Sequence, residues 1–144
     1  MESSPEQLLA QKVADAMLAA DQASRALGMV IVAVSAGCAT VQMTIRADMV
    51  NGHHTCHGGI IFTLADSAFA FACNNRNLPT VASGCSIEFL APAYAGEILT
   101  AEAREVALRG RTGVYDVAVR NQTGTVIAAF RGRSHRLPGQ IVES

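Results

Sequence analysis

The sequence predicts an α+β domain: an N-terminal helix, two strands, a long buried helix, then four strands forming an antiparallel meander. Three observations predict it. An almost unbroken apolar, alanine-rich run fills residues 60–73, and alanine favours helix. After residue 79 the apolar residues alternate with polar ones between short turn signals, the period of a half-buried strand. Half of the 144 residues are hydrophobic and 16% are charged, which suits one core and excludes wholesale disorder.

Each element follows in order. Ser4, Pro5 and Glu6 read as an N-cap, a first-turn proline and a first-turn acid. Leu8, Leu9, Val13, Met17 and Leu18 recur near helical spacing, so residues 5–28 are expected to be one amphipathic helix ending near Gly28. A β-branched run at 29–35 stops before Gly37. Val41, Met43 and Ile45 then alternate with Gln42, Thr44 and Arg46, giving two paired strands. Residues 48–59 hold three histidines and three glycines with little periodicity, and read as a loop. The helix over 60–73 has a polar stripe, Thr63, Asp66 and Ser67, spaced to share one face. Strands are expected at 81–90, 98–108, 114–120 and 125–135. Residues 138–144 are expected to be a flexible tail of this single domain.

Composition narrows the function classes. The formal net charge is −1, so no basic field points to nucleic acid. No apolar run reaches the roughly 18–20 residues of a membrane span, and the polar start lacks a signal-peptide pattern. A cytoplasmic protein is expected. Cys38, Cys56, Cys73 and Cys85 form no C-x-x-C pair and read as reduced, mostly buried thiols. His53 and His57 stand four apart without the glutamate of a zinc-helix pattern, so no metal site is expected. A Cys56–His nucleophilic pair is an alternative, but its sequence context matches no nucleophile-elbow or protease signature. The apolar fraction also favours association of identical copies.

The chemistry is expected where the loop meets the helix. Glycines at a helix start leave backbone N–H groups uncovered, and the helix dipole is positive there. His57-Gly58-Gly59 therefore offers donors for a carbonyl oxygen or an anion. Asp66 is the one charged residue between His57 and Arg76. A carboxylate on so apolar a helix is costly unless paired or used. Gly58 and Asp66 are eight residues apart, about 12 Å along a helix. One chain cannot easily bring both to one small reacting group, whereas two antiparallel copies across a two-fold axis can. Arginine outnumbers lysine ten to one. Arg131, Arg133 and His135 share a strand face, and Arg109 and Arg111 flank a hairpin tip, a pattern suited to the phosphates of a small ligand. Aromatic residues are too few to support base stacking.

These residues carry a resemblance. N-G-x-x-T-x-H-G-G followed by x-x-F-x-L-A-D, Asn51 to Asp66, is similar to the signature of hotdog-fold acyl-CoA thioesterases. V-A-S-G-C-S-I-E-F-L-A-P (81–92), T-G-V-Y-D (112–116) and F-R-G-R-S-H-R (130–136) resemble the phenylacetate-degradation branch, the PaaI-type thioesterases. The resemblance covers roughly residues 5–137. It implies a hotdog fold, a curved antiparallel sheet wrapped around the central helix. It also implies a homodimer, commonly paired into a homotetramer, with sites at the dimer interface. It implies that Gly58 donates its N–H to the thioester carbonyl. Asp66 of the facing subunit then acts as base or nucleophile, and Asn51 helps to position the site or its water. His57 and Gly59 support the loop. Thr63 and Ser67 are candidates to line the same pocket, and Arg109, Arg111, Arg131 and Arg133 to meet CoA phosphates. No cofactor is implied, because CoA arrives within the substrate. The substrate implied is phenylacetyl-CoA or a hydroxylated form. The alternatives are a hotdog thioesterase for other aryl or medium-chain acyl-CoAs, a hotdog dehydratase, and a non-catalytic acyl-CoA-binding module.

Overall fold

Ser4 starts the first helix as expected: its hydroxyl accepts the Gln7 N–H at 3.1 Å, and Pro5 occupies the first turn. The computed structural model describes residues 3–143. The expected single helix over 5–28 is instead two, α1 (Pro5–Ala20) and α2 (Gln22–Ala26). Asp21 makes the break. Its backbone N–H closes α1 on Leu18, and its carboxylate accepts the Ser24 N–H at 2.9 Å to open α2. A side-chain carboxylate that caps a new helix competes with continuation of the old one.

The remaining elements are β1 (Val30–Ser35), β2 (Cys38–Thr44), a 3-10 turn (Ala47–Met49), α3 (Gly58–Asn74), β3 (Thr80–Phe89), β4 (Ile98–Arg109), β5 (Thr112–Arg120) and β6 (Val126–Arg136). They form one six-stranded antiparallel sheet in the order β1-β2-β4-β5-β6-β3. The meander expected of the last four strands holds only for β4, β5 and β6. Here β3 leaves the end of α3 and pairs with β6, with Ile87 opposite Phe130, while β4 pairs with β2. Since α3 crosses the sheet between β2 and β3, it carries the chain to the far edge. The two edges are thus β1 and β3.

The helix α3 lies on the inner face of the sheet. Ile61, Leu64, Ala65, Ala68, Phe69 and Ala72 are buried against inward residues such as Val41, Ala101, Val117 and Phe130. Phe69 packs on the rings of Tyr115 and Phe130, with centroids 5.6 and 5.8 Å away. A Cβ at Gly132 of β6 would stand 2.8 Å from the Phe69 ring, so glycine there admits the helix to the sheet. Past the C-terminus of α3, the Asn75 amide donates to the carbonyls of Ser35 and Cys38. Arg76 pairs with Glu105, which also accepts the Tyr115 hydroxyl at 3.0 Å. The C-terminal end of the helix is therefore fixed.

The segment expected to be a flexible tail is tied back over 141–143. Asn77 accepts the N–H groups of Ile141 and Val142 and donates to the Val142 carbonyl, and Lys12 donates to the Glu143 carbonyl at 2.8 Å. Ser144 lies outside the described residues. All four cysteines are free, with Cys56 and Cys73 buried, Cys38 half-buried and Cys85 exposed. The expectation of mostly buried thiols holds for two. Among the described residues, no helix is long and apolar enough to cross a membrane.

Candidate active site

The head of α3 is built by His57. It is the N-cap, and its Nδ1 accepts the Gly59 N–H at 2.9 Å. Its carbonyl accepts from Ile60 and Ile61, which starts the helical ladder. The Gly58 N–H has no hydrogen-bond partner among the described residues. One free donor therefore stands at the positive end of a 17-residue helix. Space, not backbone conformation, favours glycine here, since neither Gly58 nor Gly59 has a positive φ. A Cβ on Gly58 would stand 3.2 Å from the Phe89 ring at the end of β3, and one on Gly59 would stand 3.2 Å from His57 Nδ1.

Asn51 organises the approach to that helix. Its side-chain oxygen accepts the N–H groups of His53 and Thr55, and its amide lies 3.1 Å from the Thr55 hydroxyl. Both amide atoms are thus engaged within the loop. The backbone adds Asn51–Thr55 and His57–Met49 bonds. Beside the helix head, Asp48, Met49, Val50, His57, Gly59 and Ile60 line an open groove of ≈ 380 Å³.

Asp66 sits midway along α3, half-buried, with no ion pair or hydrogen bond among the described residues. Burial raises its pKa above the ordinary carboxylate range, and the nearby Asp21 raises it further. Such a carboxylate is both available and a stronger base than an exposed one. The expected polar stripe does not act as one surface. Thr63 donates back to the Gly59 carbonyl at 2.8 Å, within the helix. Ser67 is buried with its hydroxyl 2.7 Å from that of Ser24, so it packs against α2 rather than lining a pocket.

Cys56 is buried next to His57, and burial pushes its thiol up to about 11. It stays protonated at neutral pH and is a poor nucleophile. His53 and His54 are exposed on the loop. No group of three potential metal ligands occurs among the described residues.

The arginines lie elsewhere. Arg131 and Arg133 point to the outer face of the sheet, while their neighbours Gly132 and Ser134 are buried. Arg131 forms a two-pronged pair with Asp116, at 2.7 and 2.9 Å, which holds the Asp116 carboxyl below its usual range. Arg133 donates to the Ser83 hydroxyl at 3.1 Å. Arg109 and Arg111 flank Gly110 at the exposed β4–β5 turn and form no ion pair among the described residues. A groove of ≈ 470 Å³ on the outer face runs between Arg104, Asp116, Arg120 and Arg131. Sequence reasoning missed two neighbours of the site. Phe89 covers Gly58 through a fold contact that no spacing signals. Asp21 was legible only as the first residue of an Asp-x-x-Ser cap.

Comparison with known proteins identifies the family and the fold. Residues 53–128 match the family model described as the thioesterase superfamily. The chain is 49% identical over 128 residues to the acyl-coenzyme A thioesterase PaaI of Escherichia coli, covering 89% of this chain and 91% of that one. The structure of the E. coli PaaI protein, from the phenylacetic acid degradation operon, superposes with a TM-score of 0.92 at 47% identity, covering 94% of this chain and 98% of that chain. A point mutant of the phenylacetic acid degradation protein PaaI from Thermus thermophilus gives a TM-score of 0.78 at 41% identity, covering 81% and 100%. With its helix wrapped by an antiparallel sheet in the hotdog arrangement, the chain belongs to the thioesterase superfamily.

Proposed function

We propose that the protein is an acyl-CoA thioesterase that hydrolyses (hydroxy)phenylacetyl-CoA-type thioesters to free acid and CoA, in phenylacetate catabolism in the cytoplasm. The single observation that carries this reading is the free Gly58 N–H at the head of α3, left over by the His57–Gly59 cap. The names of the E. coli and T. thermophilus relatives support the substrate class. The reaction needs no bound cofactor, because CoA is part of the substrate.

The thioester carbonyl oxygen accepts the Gly58 N–H, and the helix dipole stabilises the charge that develops on it. Asp66 takes a proton from water as the oxygen attacks the carbonyl carbon. Collapse of the tetrahedral intermediate re-forms the carbonyl and expels the CoA thiolate. Asp66 then gives its proton to that thiolate, which releases CoA as the thiol and restores the carboxylate.

The same reading requires a homodimer or homotetramer, with Gly58 of one subunit serving Asp66 of another. Two features support a second copy on β3. It is a ten-residue edge strand, unpaired on one side, with nearly every side chain exposed. Val81 and Phe89, 46% and 52% exposed, would leave apolar surface in water. A long exposed edge strand is a template for another strand. For the CoA phosphates, Arg109 and Arg111 form no ion pair among the described residues, whereas Arg131 is held by Asp116.

The test is hydrolysis of a panel of arylacetyl-, benzoyl- and fatty acyl-CoAs, followed by ultraviolet loss of the thioester, for wild type and Asp66→Asn. Turnover of arylacetyl-CoA that collapses in the variant supports the reading. Tight acyl-CoA binding with no turnover would replace it with a binding module.

A further inference from the structure

Behind the active-site helix lies a chain of hydroxyls that ends on a second carboxylate. Ser67, next to Asp66 on α3, has its Oγ 2.7 Å from the Oγ of Ser24. Ser24 donates to Asp21 Oδ2 at 2.6 Å, and its backbone N–H reaches Asp21 Oδ1 at 2.9 Å. Ser24 and Ser67 are both buried. The direction of this chain is fixed by chemistry. An ionised carboxylate only accepts. Ser24 therefore gives its one proton to Asp21, and its oxygen must accept the Ser67 proton. Ser67 therefore spends its proton within this pair, and two buried hydroxyls bridge α3, one residue from Asp66, to the Asp21 carboxylate.

We propose that Asp21 is a positioning residue of the Asp66 site: the Ser24–Ser67 pair ties it to α3 beside Asp66, and it sets a second negative charge behind that carboxylate. This rests on Asp66 acting as the base. The other groups that face Asp66 are Cys85 from β3 and Cys73 on α3 itself. Both thiols are raised by burial, Cys73 to about 12, so neither is charged in the acidic and neutral range. Tyr115 from β5 packs on Phe69, with its hydroxyl given to Glu105 and its ionisation pushed up by burial. On α2, Arg25 is turned to the Ala19 carbonyl. On α1, Lys12 bonds to Glu143 and Asp15 to Gln11. The strands β1 and β2 carry no charge, and Glu105 of β4 is paired with Arg76. Asp21 is thus the charged neighbour of Asp66 among the described residues.

The test is the pH profile of kcat/KM for the full-length protein. Asp21→Asn keeps a good helix cap but removes the charge. The acid limb should move to lower pH, on the order of half a unit, because a like charge no longer opposes ionisation of Asp66. Asp21→Glu should keep the wild-type limb. Ser24→Ala, which cuts the chain but leaves the charge, should move it less than Asp21→Asn. A purely structural role predicts lower stability with an unmoved limb, and that result overturns the proposal. If Asp21→Asn does not fold, Asp21→Glu still decides: a limb moved to lower pH in a variant that keeps the charge overturns the proposal. Loss of activity in Asp66→Asn with no shift in Asp21→Asn sinks this proposal alone. Retained activity in Asp66→Asn sinks the base reading beneath it.

Discussion

His57 Nδ1 accepts the Gly59 N–H at 2.9 Å, and this bond decides which donor at the head of α3 stays free. With Gly59 capped, the Gly58 N–H is the group presented to a ligand. His57→Ala is expected to cost about 1 kcal/mol of stability, as loss of a helix cap does, and to lower kcat because the helix start loosens. His57→Asn, which can still accept from Gly59, should recover most of both. Thermal denaturation and initial rates on one acyl-CoA check this. An alanine variant with full kcat would separate the cap from the chemistry.

Gly58 has two separable properties, a free N–H and room beneath Phe89. Gly58→Ala keeps the N–H but brings a Cβ within 3.2 Å of the Phe89 ring. Its loss of kcat should be relieved by adding Phe89→Ala. Gly58→Pro removes the N–H at the first helical position, where proline is well tolerated. In the Phe89→Ala background it is expected to lose a further factor of about 10²–10³ in kcat with little change in folding. Equal rates for the alanine and proline variants in that background would take the carbonyl-binding role away from Gly58.

The sequence makes some of this legible and hides the rest for physical reasons. Helix α3 shows itself through an apolar, alanine-rich run, and the strands through alternation, because both patterns are local. Strand order is not local. Nothing in residues 80–89 tells that they lie beside β6 rather than β4, since the crossing of α3 decides it. The break at Asp21 contains no glycine or proline and depends on one carboxylate capping Ser24. At the site, His57-Gly58-Gly59 and Asp66 were readable from residue type and spacing. The burial of Ser67 against Ser24 and the Phe89 ring over Gly58 were not, because both join segments distant in the chain.

Asp66 links activity to stability. Burial and Asp21 raise its pKa in the folded chain above its unfolded value. Below the unfolded pKa, about 3.9, both states are protonated and the residue favours the fold fully. As pH rises through the folded-state pKa, the fold must carry a buried charge, and that contribution is lost. Asp66→Asn never ionises. It is therefore expected to melt above wild type at neutral pH, with the gap closing under acid, while kcat falls by about 10²–10⁴. Melting temperatures across the acidic to neutral range check the sign. A variant no more stable than wild type at neutral pH would mean that the site does not oppose ionisation.

The eight-residue separation of Gly58 and Asp66 on one helix makes the shared site testable by complementation. Gly58→Pro and Asp66→Asn are each expected to be inactive alone. Co-expressed, they form mixed dimers in which the Asp66→Asn chain supplies an intact Gly58 and the Gly58→Pro chain an intact Asp66. That pair makes one complete site per mixed dimer, and the other site lacks both groups. Random pairing of equal amounts makes half the dimers mixed, so about a quarter of wild-type activity should return. If each site were built within one chain, every site in the mixture would carry a defect and no activity would return. The outcome therefore separates a site assembled across two subunits from one contained in a single subunit, independently of which acyl group the enzyme prefers.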